Sequence, residues 1–525
     1  MIESMELDRR VCSRARLSRD PRFDGKFYVA VLSTGIYCRP ICRAPTAKEA
    51  NVRYYPTAAA AAEAGFRPCL RCRPECSPGT PAWAGTPSTV SRALRLIGEA
   101  GLEDGGVENL AARLGIGSRH LRRLFLRHLG ATPSAVAQTR RLHFAKKLID
   151  ETTLPMGEVA MAAGFGSVRR FNAWIRSVYD RTPTQIRHLA RQSSQPEDQY
   201  LFELRFRPPY DWEGMLAFLA PRAIPRVEAV ESGTYRRSIS LNGAQGSFEV
   251  SLDRENSALV VRVQFGDPQC LFAIIERVRA MFDLNADWTA IAPSLKADPV
   301  LAPQVDKEPG LRVPGCWDPV ELVTRAILGQ QVSVKAATTL AGRIATHFGQ
   351  PLSAPNGVTH LFPSAEALAE SDLVSVGLTR ARAATIRLFA RAVCDGNINF
   401  SGVIDTDALL AQLCEIPGIG QWTAQYVAMR ALGEPDAFPF GDLGLLKALG
   451  LRTPHELQCR AETWRPWRAY AAMYLWSIAK KFQATTKNSE RAGGHVDLVK
   501  KQRPGCVAVS RAFREVDQPS PVDLP

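Results

Sequence analysis

Four cysteines constrain this chain more than any other feature. They stand as Cys38-x3-Cys42-x26-Cys69-x2-Cys72, and two close pairs a few dozen residues apart are a metal signature. Four thiolates close one tetrahedral zinc site. The chain holds twelve cysteines, five of them between Cys38 and Cys76, and in a reducing cytoplasm they do not form a disulfide framework. Cys12 and Cys76 are left over, and Cys270, Cys316, Cys394 and Cys414 read as small core residues. By spacing alone the site can be purely structural. It can also be reactive, because a metal-bound thiol is deprotonated and is a nucleophile at neutral pH.

At 525 residues the chain exceeds one core, so three or four domains are expected. Residues 78–89, rich in Pro, Gly and Ser, and the polar stretch 192–199 read as linkers. Residues 90–191 place apolar side chains at helical spacing. Residues 200–265 alternate instead. Phe202, Leu204 and Phe206 share one strand face, residues 258–265 repeat the pattern, and helices are expected at 212–219 and 270–282. Helical spacing returns from Pro319 to Lys481. Residues 483–525 show no period and read as a disordered tail.

The net charge of +14 is unevenly placed. Residues 1–200 hold 31 Lys and Arg against 18 Asp and Glu, which leaves +13. A polyanionic partner fits that asymmetry, nucleic acid before membrane. No apolar run reaches the roughly 18 residues a span needs. The N-terminus has no secretory apolar region, so a cytoplasmic protein is expected.

Residues 107–129 read as a helix, a turn at Gly115, a Ser118 N-cap and a second, basic helix. The pattern returns at 156–179 with Gly164 and Ser167. Recognition helices are expected at 118–129 and 167–179. Arg119, His120, Arg122, Arg123, Arg169, Arg170 and Asn172 are candidate DNA contacts. Leu121, Leu124, Phe125, Phe171 and Trp174 read as core.

Further on, Pro417-Gly418-Ile419-Gly420 opens a helix. Two glycines two apart leave backbone N–H groups bare to approach a phosphate. Asp442 follows in Gly441-Asp442-Leu443. It suits the N-cap of a helix over 443–449, and a capping carboxylate can still face a ligand.

These segments resemble known families. Thr34-Gly-Ile-Tyr-Cys38-Arg-Pro-Ile-Cys42-Arg, with Asn51-Val-Arg-Tyr-Tyr and Gly65-Phe-Arg-Pro-Cys69-Leu-Arg-Cys72, resembles the N-terminal domain of Ada-type methyltransferases. The resemblance implies one Zn²⁺ on Cys38, Cys42, Cys69 and Cys72. It also implies that Cys38 irreversibly accepts a methyl group from a DNA methylphosphotriester. Arg39, Arg43, Arg67 and Arg71 would then contact phosphates. The paired helix-turn-helix, followed by Arg181-Thr-Pro-Thr-Gln-Ile-Arg187, resembles the AraC-type DNA-binding domain. Full-length Ada chains carry a second acceptor, Pro-Cys-His-Arg. No Cys-His pair occurs here, so transfer from O6-methylguanine is not expected.

Residues 200–481 resemble AlkA-type 3-methyladenine DNA glycosylases of the helix-hairpin-helix superfamily. The resemblance rests on Pro208-Pro-Tyr-Asp-Trp-Glu-Gly-Met-Leu, Leu311-Arg-Val-Pro-Gly-Cys-Trp-Asp-Pro, Ala326-Ile-Leu-Gly-Gln-Gln-Val-Ser-Val, Trp464-Arg-Pro-Trp-Arg-Ala-Tyr and the Gly418–Asp442 spacing. It implies a flipped alkylated base, of the 3-methyladenine and 7-methylguanine class, held by Trp422, Tyr426 and Trp476. Asp442 would be the catalytic carboxylate, and Gly418 and Gly420 would touch the DNA backbone. Gln331 stands where the family presents an apolar wedge. Backbone-cutting members carry a lysine two residues after the second hairpin glycine. Here that residue is Trp422, so a Schiff base is not available and a monofunctional enzyme is expected.

The fold class expected is multidomain α+β, mostly α. It comprises a zinc α/β domain over 1–77, a double helix-turn-helix over 90–191, an antiparallel α/β domain over 200–310 and a helix-hairpin-helix α-bundle over 311–482. Expected partners are double-stranded DNA, both alkylated and promoter, and RNA polymerase. No membrane partner is expected, and the chain is expected to be a monomer on the nucleoid. The rival reading is a sensor and activator whose glycosylase half is inactive.

Overall fold

The computed structural model describes residues 7–78, 88–100, 106–189, 199–353, 356–400 and 406–479. Residues 79–87 of the expected linker, 192–198 of the second and the whole expected tail 483–525 lie outside the described residues.

The first module is a four-stranded sheet in the order Val52–Tyr55, Tyr28–Val31, Ile36–Cys38, Arg67–Pro68. The last pair is parallel and the others antiparallel. Asp8 caps the helix Arg9–Ser18 with two side-chain bonds, and Thr57 caps the alanine helix Ala58–Glu63. The Ala58 and Ala61 methyls pack on Tyr28 and Tyr37 of the sheet.

Seven helices follow. The long helix Pro133–Glu151 separates two hairpins, Gly106–Arg113 with Ser118–Leu129 and Met156–Ala162 with Val168–Tyr179. Gly115 and Gly164 take positive φ in the turns, a backbone that only glycine adopts freely. Ser167 caps the second recognition helix as expected, its hydroxyl accepting from the Arg170 amide at 3.2 Å. Ser118 does not cap the first. The helix starts on it, and the cap is Gly117, which has no side chain to offer.

The third module is a five-stranded antiparallel sheet ordered Gln199–Arg205, Ala258–Phe265, Ala244–Asp253, Thr234–Leu241, Glu228–Glu231. Helices Trp212–Leu219 and Leu271–Met281 belong to it. The last three strands in that order fall in the stretch 200–265 that alternates, but the sequence did not mark their individual bounds. Two-residue turns at Ser232-Gly233 and Asn242-Gly243, all with positive φ, join them, as twisted hairpins require. The remainder is helical and includes Pro319–Leu328, Val334–Phe348, Arg380–Cys394, Thr406–Glu415, Gln421–Arg430 and Leu443–Leu449. Cys394, expected in the core, is exposed at the end of its helix.

Charged groups tie the modules together. Arg73 pairs with Asp150 at 3.1 Å and Glu151 at 2.8 Å, and Lys146 with Glu75 at 3.4 Å. Lys26 pairs with Asp287 at 2.6 Å. Arg207, 1% exposed, donates to the Asp24 carbonyl at 2.9 Å and the Asn285 carbonyl at 3.1 Å. Tyr37 meets His143 at 3.0 Å.

Burial lowers the His143 imidazole from its ordinary 6.5 to about 4. Between those values the unfolded chain binds a proton that the folded chain does not. The stability contributed by neutral His143 is therefore full above pH 6.5 and is lost as pH falls toward 4. At about 1.4 kcal/mol per pKa unit, the loss approaches roughly 3 kcal/mol. In urea titrations at pH 7 and pH 4.5, His143→Gln is expected to lose less stability on acidification than the wild type. Equal losses would contradict this assignment.

Candidate functional site

The parallel pairing of Ile36–Cys38 with Arg67–Pro68 brings Cys38 beside Cys69. Cys42 returns through a turn in which its amide donates to the Arg39 carbonyl at 3.1 Å. Cys72 sits in a turn closed by the Arg73 amide on the Cys69 carbonyl at 3.2 Å. All four Sγ atoms lie within 4.8 Å of one another. Zinc–sulfur bonds of about 2.3 Å in a tetrahedron put sulfurs about 3.8 Å apart, so the four thiols fit one zinc ion. The Arg39 amide donates to Cys72 Sγ at 3.4 Å and the Ala44 amide to Cys42 Sγ at 3.5 Å. Hydrogen bonding within the cluster shifts the four thiols in both directions: bonds from Cys38 lower Cys42 to about 7 and hold Cys69 well below an ordinary thiol, while bonds from Cys42 raise Cys38 and bonds from Cys38 raise Cys72. The two thiols of this module outside the cluster are both raised. Burial pushes Cys12 up to about 12 and Cys76 up to about 11, so both stay protonated and inert. No other cluster of three or more potential ligands forms among the described residues.

Arg39 is not available to a phosphate. Its side chain is 3% exposed and both ends of its guanidinium face the Asp24 carboxylate. A third bond reaches the Cys72 carbonyl at 3.1 Å. A buried carboxylate nearby outcompetes solvent for this charge. Arg43, Arg67 and Arg71 are exposed, and Arg67 lies 3.9 Å from Asp180.

On the first recognition helix Arg119, His120, Arg122 and Arg123 are exposed, and on the second Arg169, Arg170 and Asn172. Leu121, Phe125 and Phe171 are buried, while Leu124 and Trp174 are half-buried against the same cores. Charged and apolar faces separate as the helical period requires.

The hairpin between Thr406–Glu415 and Gln421–Arg430 exposes Gly418 and Gly420 while burying Ile419. Gly418 has φ 93°, and a Cβ there would meet Thr385 Oγ1 at 2.3 Å, so no other residue fits without displacement. Gly420 caps the second helix without a side chain, which leaves its first N–H groups open. Gln330 ties the neighbouring loop to this hairpin through the Gly418 carbonyl at 2.9 Å and Thr423 Oγ1 at 3.1 Å. Gln331 follows, exposed, with φ 57°.

Asp442 is both cap and site. Its Oδ1 accepts from the Gly444 amide at 2.8 Å and the Leu445 amide at 3.0 Å, capping Leu443–Leu449. Trp476 Nε1 donates to the same oxygen at 3.0 Å, and Trp422 Nε1 donates to Oδ2 at 3.0 Å. The three predicted aromatic residues therefore do converge. Trp422 and Tyr426 stack with centroids 5.4 Å apart and planes at 10°, and Trp476 meets Tyr426 edge-on at 6.2 Å. The stacked pair forms one wall and leaves no gap for a base between its rings. Trp464 and Trp467 are buried core.

Sequence reading missed Phe218, Arg222 and Arg430. Phe218 faces Trp476 at 6.5 Å, and the Arg222 guanidinium covers Phe218 at 3.9 Å. Arg430 is buried and donates to Tyr426 Oη at 2.7 Å and to the Pro314 and Gly315 carbonyls. Burial acts to raise the Tyr426 phenol, but Arg430, Arg222 and Arg325 outweigh it and hold the phenol below its ordinary value. Only the Tyr426–Arg430 spacing, one helical turn, was visible beforehand.

Three family models match the chain: the metal binding domain of Ada over residues 11–75, a helix-turn-helix domain over 110–188, and the AlkA N-terminal domain over 201–318. A relative from Mycobacterium tuberculosis, "Probable bifunctional transcriptional activator/DNA repair enzyme AlkA", is 44% identical over 89% of this chain and 95% of its own length. "DNA-3-methyladenine glycosylase 2" of Escherichia coli is 32% identical over 53% of this chain and 96% of its own. "Bifunctional transcriptional activator/DNA repair enzyme Ada" of Escherichia coli is 36% identical over 33% of this chain and 47% of its own. Among the described residues no helix is long and apolar enough to cross a membrane.

The geometry of the four sulfurs predicts one zinc per chain, measurable by elemental mass spectrometry of the purified protein. Cys69→Ser is expected to carry none. Full zinc retention in that variant would show that the cysteine cluster is not the binding site.

Proposed function

The chain belongs to the family of bifunctional transcriptional activator/DNA repair enzymes of the AlkA type, and from that premise we propose how its residues divide the work. Asp442 drives hydrolytic excision of alkylated purines, Cys38 takes methyl groups from DNA methylphosphotriesters, and the paired helix-turn-helix module activates transcription of the alkylation response.

The observation that carries the excision reading is the set of donors around Asp442. A carboxylate offers about four acceptor positions. Oδ1 takes three N–H donors and Oδ2 only one. Oδ2 therefore keeps capacity for the substrate, while the cap and both indoles fix its direction. Alkylation at N3 or N7 puts positive charge on a purine and weakens its bond to the sugar. Electron-rich rings attract such a cation by about 0.5–2 kcal/mol per contact. The outer face of the Trp422–Tyr426 stack, together with Trp476, receives it. As the bond breaks, the Asp442 carboxylate stabilises the oxocarbenium-like sugar and orients the attacking water. Trp422 carries no amine, so the product is an intact strand with an abasic site.

In the N-terminal module zinc, when bound, keeps the four thiols deprotonated. The Cys38 thiolate attacks the methyl carbon of the triester. An S–C bond forms, the C–O bond breaks, and the phosphate diester leaves with the electron pair. Cys42, Cys69 and Cys72 are not consumed. The four-thiolate site changes from −2 to −1, which weakens its repulsion of the DNA backbone. Arg43, Arg67, Arg71 and the recognition-helix arginines contact phosphates and bases. The protein acts as a monomer on cytoplasmic DNA and meets RNA polymerase at promoters.

Asp442→Asn is expected to abolish most release of 7-methylguanine from duplex DNA without changing zinc content. Equal release would remove Asp442 from the mechanism. Borohydride treatment during turnover is expected to trap no covalent complex, and a trapped imine would overturn the monofunctional assignment. Methylation of Cys38 is expected to tighten binding to duplex DNA at low salt, read by fluorescence anisotropy. Unchanged affinity would refute the charge switch.

A further inference from the structure

We propose that Leu443 is a DNA-contacting residue of the excision site. It supplies apolar surface against the duplex where the nucleotide leaves the stack, with Lys447 at the adjoining phosphate. The proposal rests on the reading of Asp442 as the excision carboxylate.

Leu443 is 71% exposed, the highest value for a large apolar side chain among the described residues. Single exposed leucines are common and need no explanation. The position of this one does need one. It is the first residue of the helix capped by Asp442. A Cβ on Gly441 would meet Trp422 Cβ at 3.6 Å, and one on Gly444 would meet Trp476 Cδ1 at 3.5 Å. The Trp422 Cβ and the Trp476 indole thus lie against the residues on either side of the Asp442-Leu443 pair, while Leu443 itself stays open. Any duplex that delivers a sugar to Asp442 Oδ2 passes beside it.

The surroundings suit a polyanion. Lys447, one turn further on, shares the face of Leu443 and is exposed, as is Arg452. The acidic neighbour Glu456 is exposed, but its carboxylate accepts from the Arg452 and Thr453 amides at 2.9 and 3.2 Å. The Gln331 loop, tied to the glycine hairpin through Gln330, offers an exposed amide. An amide pushed into the gap left by a flipped base must find partners for its own donors and acceptor. Leucine carries no such penalty and gains from every apolar contact. The departure at Gln331 therefore leaves an apolar role open, and Leu443 is placed to take it.

The test uses the full chain and duplexes carrying one 7-methylguanine, either correctly paired or mispaired, with 2-aminopurine beside it. Leu443→Ala is expected to lower kcat/KM on the paired duplex roughly tenfold or more. The loss should be smaller on the mispaired lesion, which is easier to extrude. The 2-aminopurine signal of unstacking should fall with it, and Leu443→Met should restore both. Because the side chain is exposed, the thermal midpoint should not move. Wild-type kinetics in Leu443→Ala, beside an inactive Asp442→Asn, would overturn this proposal and leave the excision reading standing. Full activity in Asp442→Asn would overturn both.

Discussion

The buried Arg39–Asp24 pair is the constraint on which the arrangement of modules depends. Arg39 follows Cys38 directly, so the residue beside this cysteine of the cluster is locked into the interior. The Asp24 carbonyl then receives Arg207 from the third module. Two guanidiniums thus converge on one aspartate from opposite sides of a domain boundary. Removing one partner of such a pair leaves an uncompensated buried charge, which costs several kcal/mol. The Tyr37 hydroxyl, on the other side of Cys38, meets His143 of the DNA-binding module. Both chain neighbours of Cys38 are therefore committed to packing, and the cysteine is presented by a strand that cannot shift independently.

On the proposed reading Asp442 serves structure and chemistry without conflict. Capping uses Oδ1 and two backbone amides, an arrangement worth about 1 kcal/mol. The indoles use one lone-pair direction on each oxygen. What remains on Oδ2 is pre-aimed, so no reorganisation is needed when positive charge develops on a sugar. The helix N-terminus also favours negative charge at this point. Fold stability and site polarity here depend on the same bonds.

What was legible in the sequence was local. The zinc ligands lie in two short turns, the recognition helices repeat one pattern, and Trp212–Leu219 is a short amphipathic run with its cap. What was not legible depends on distant partners. Arg237 looks like a surface residue on an alternating strand, yet it is buried against Glu321 at 2.7 Å, 84 residues away. Its strand and both neighbours lie in the alternating stretch 200–265, but their bounds were not separated for that reason, although Asn242-Gly243 is a readable turn signal. Arg39 was read as a phosphate contact because Asp24 could not be placed opposite it. Phe218 is not singled out by the sequence, because its closeness to Trp476 exists only after the third module packs on the helical bundle.

The charge distribution explains why the excision half needs short-range contacts. Residues 201–525 hold 35 basic and 34 acidic residues, and several of the arginines, Arg207, Arg237, Arg312 and Arg430, are buried. Long-range attraction to DNA is screened within about 10 Å at ordinary salt, and a nearly neutral half generates little of it. Residues 1–200, at +13, can hold the chain near DNA. On the proposed reading the excision half then engages through groups that act only at contact: hairpin amides at Gly418 and Gly420, the open helix start after Gly420, and apolar surface beside Asp442. Of these, the apolar surface beside Asp442 favours a deformable, damaged step over an intact one, because it gains most where the nucleotide has left the stack. A strongly basic excision half would hold intact DNA as firmly as damaged DNA, and that selectivity would be lost.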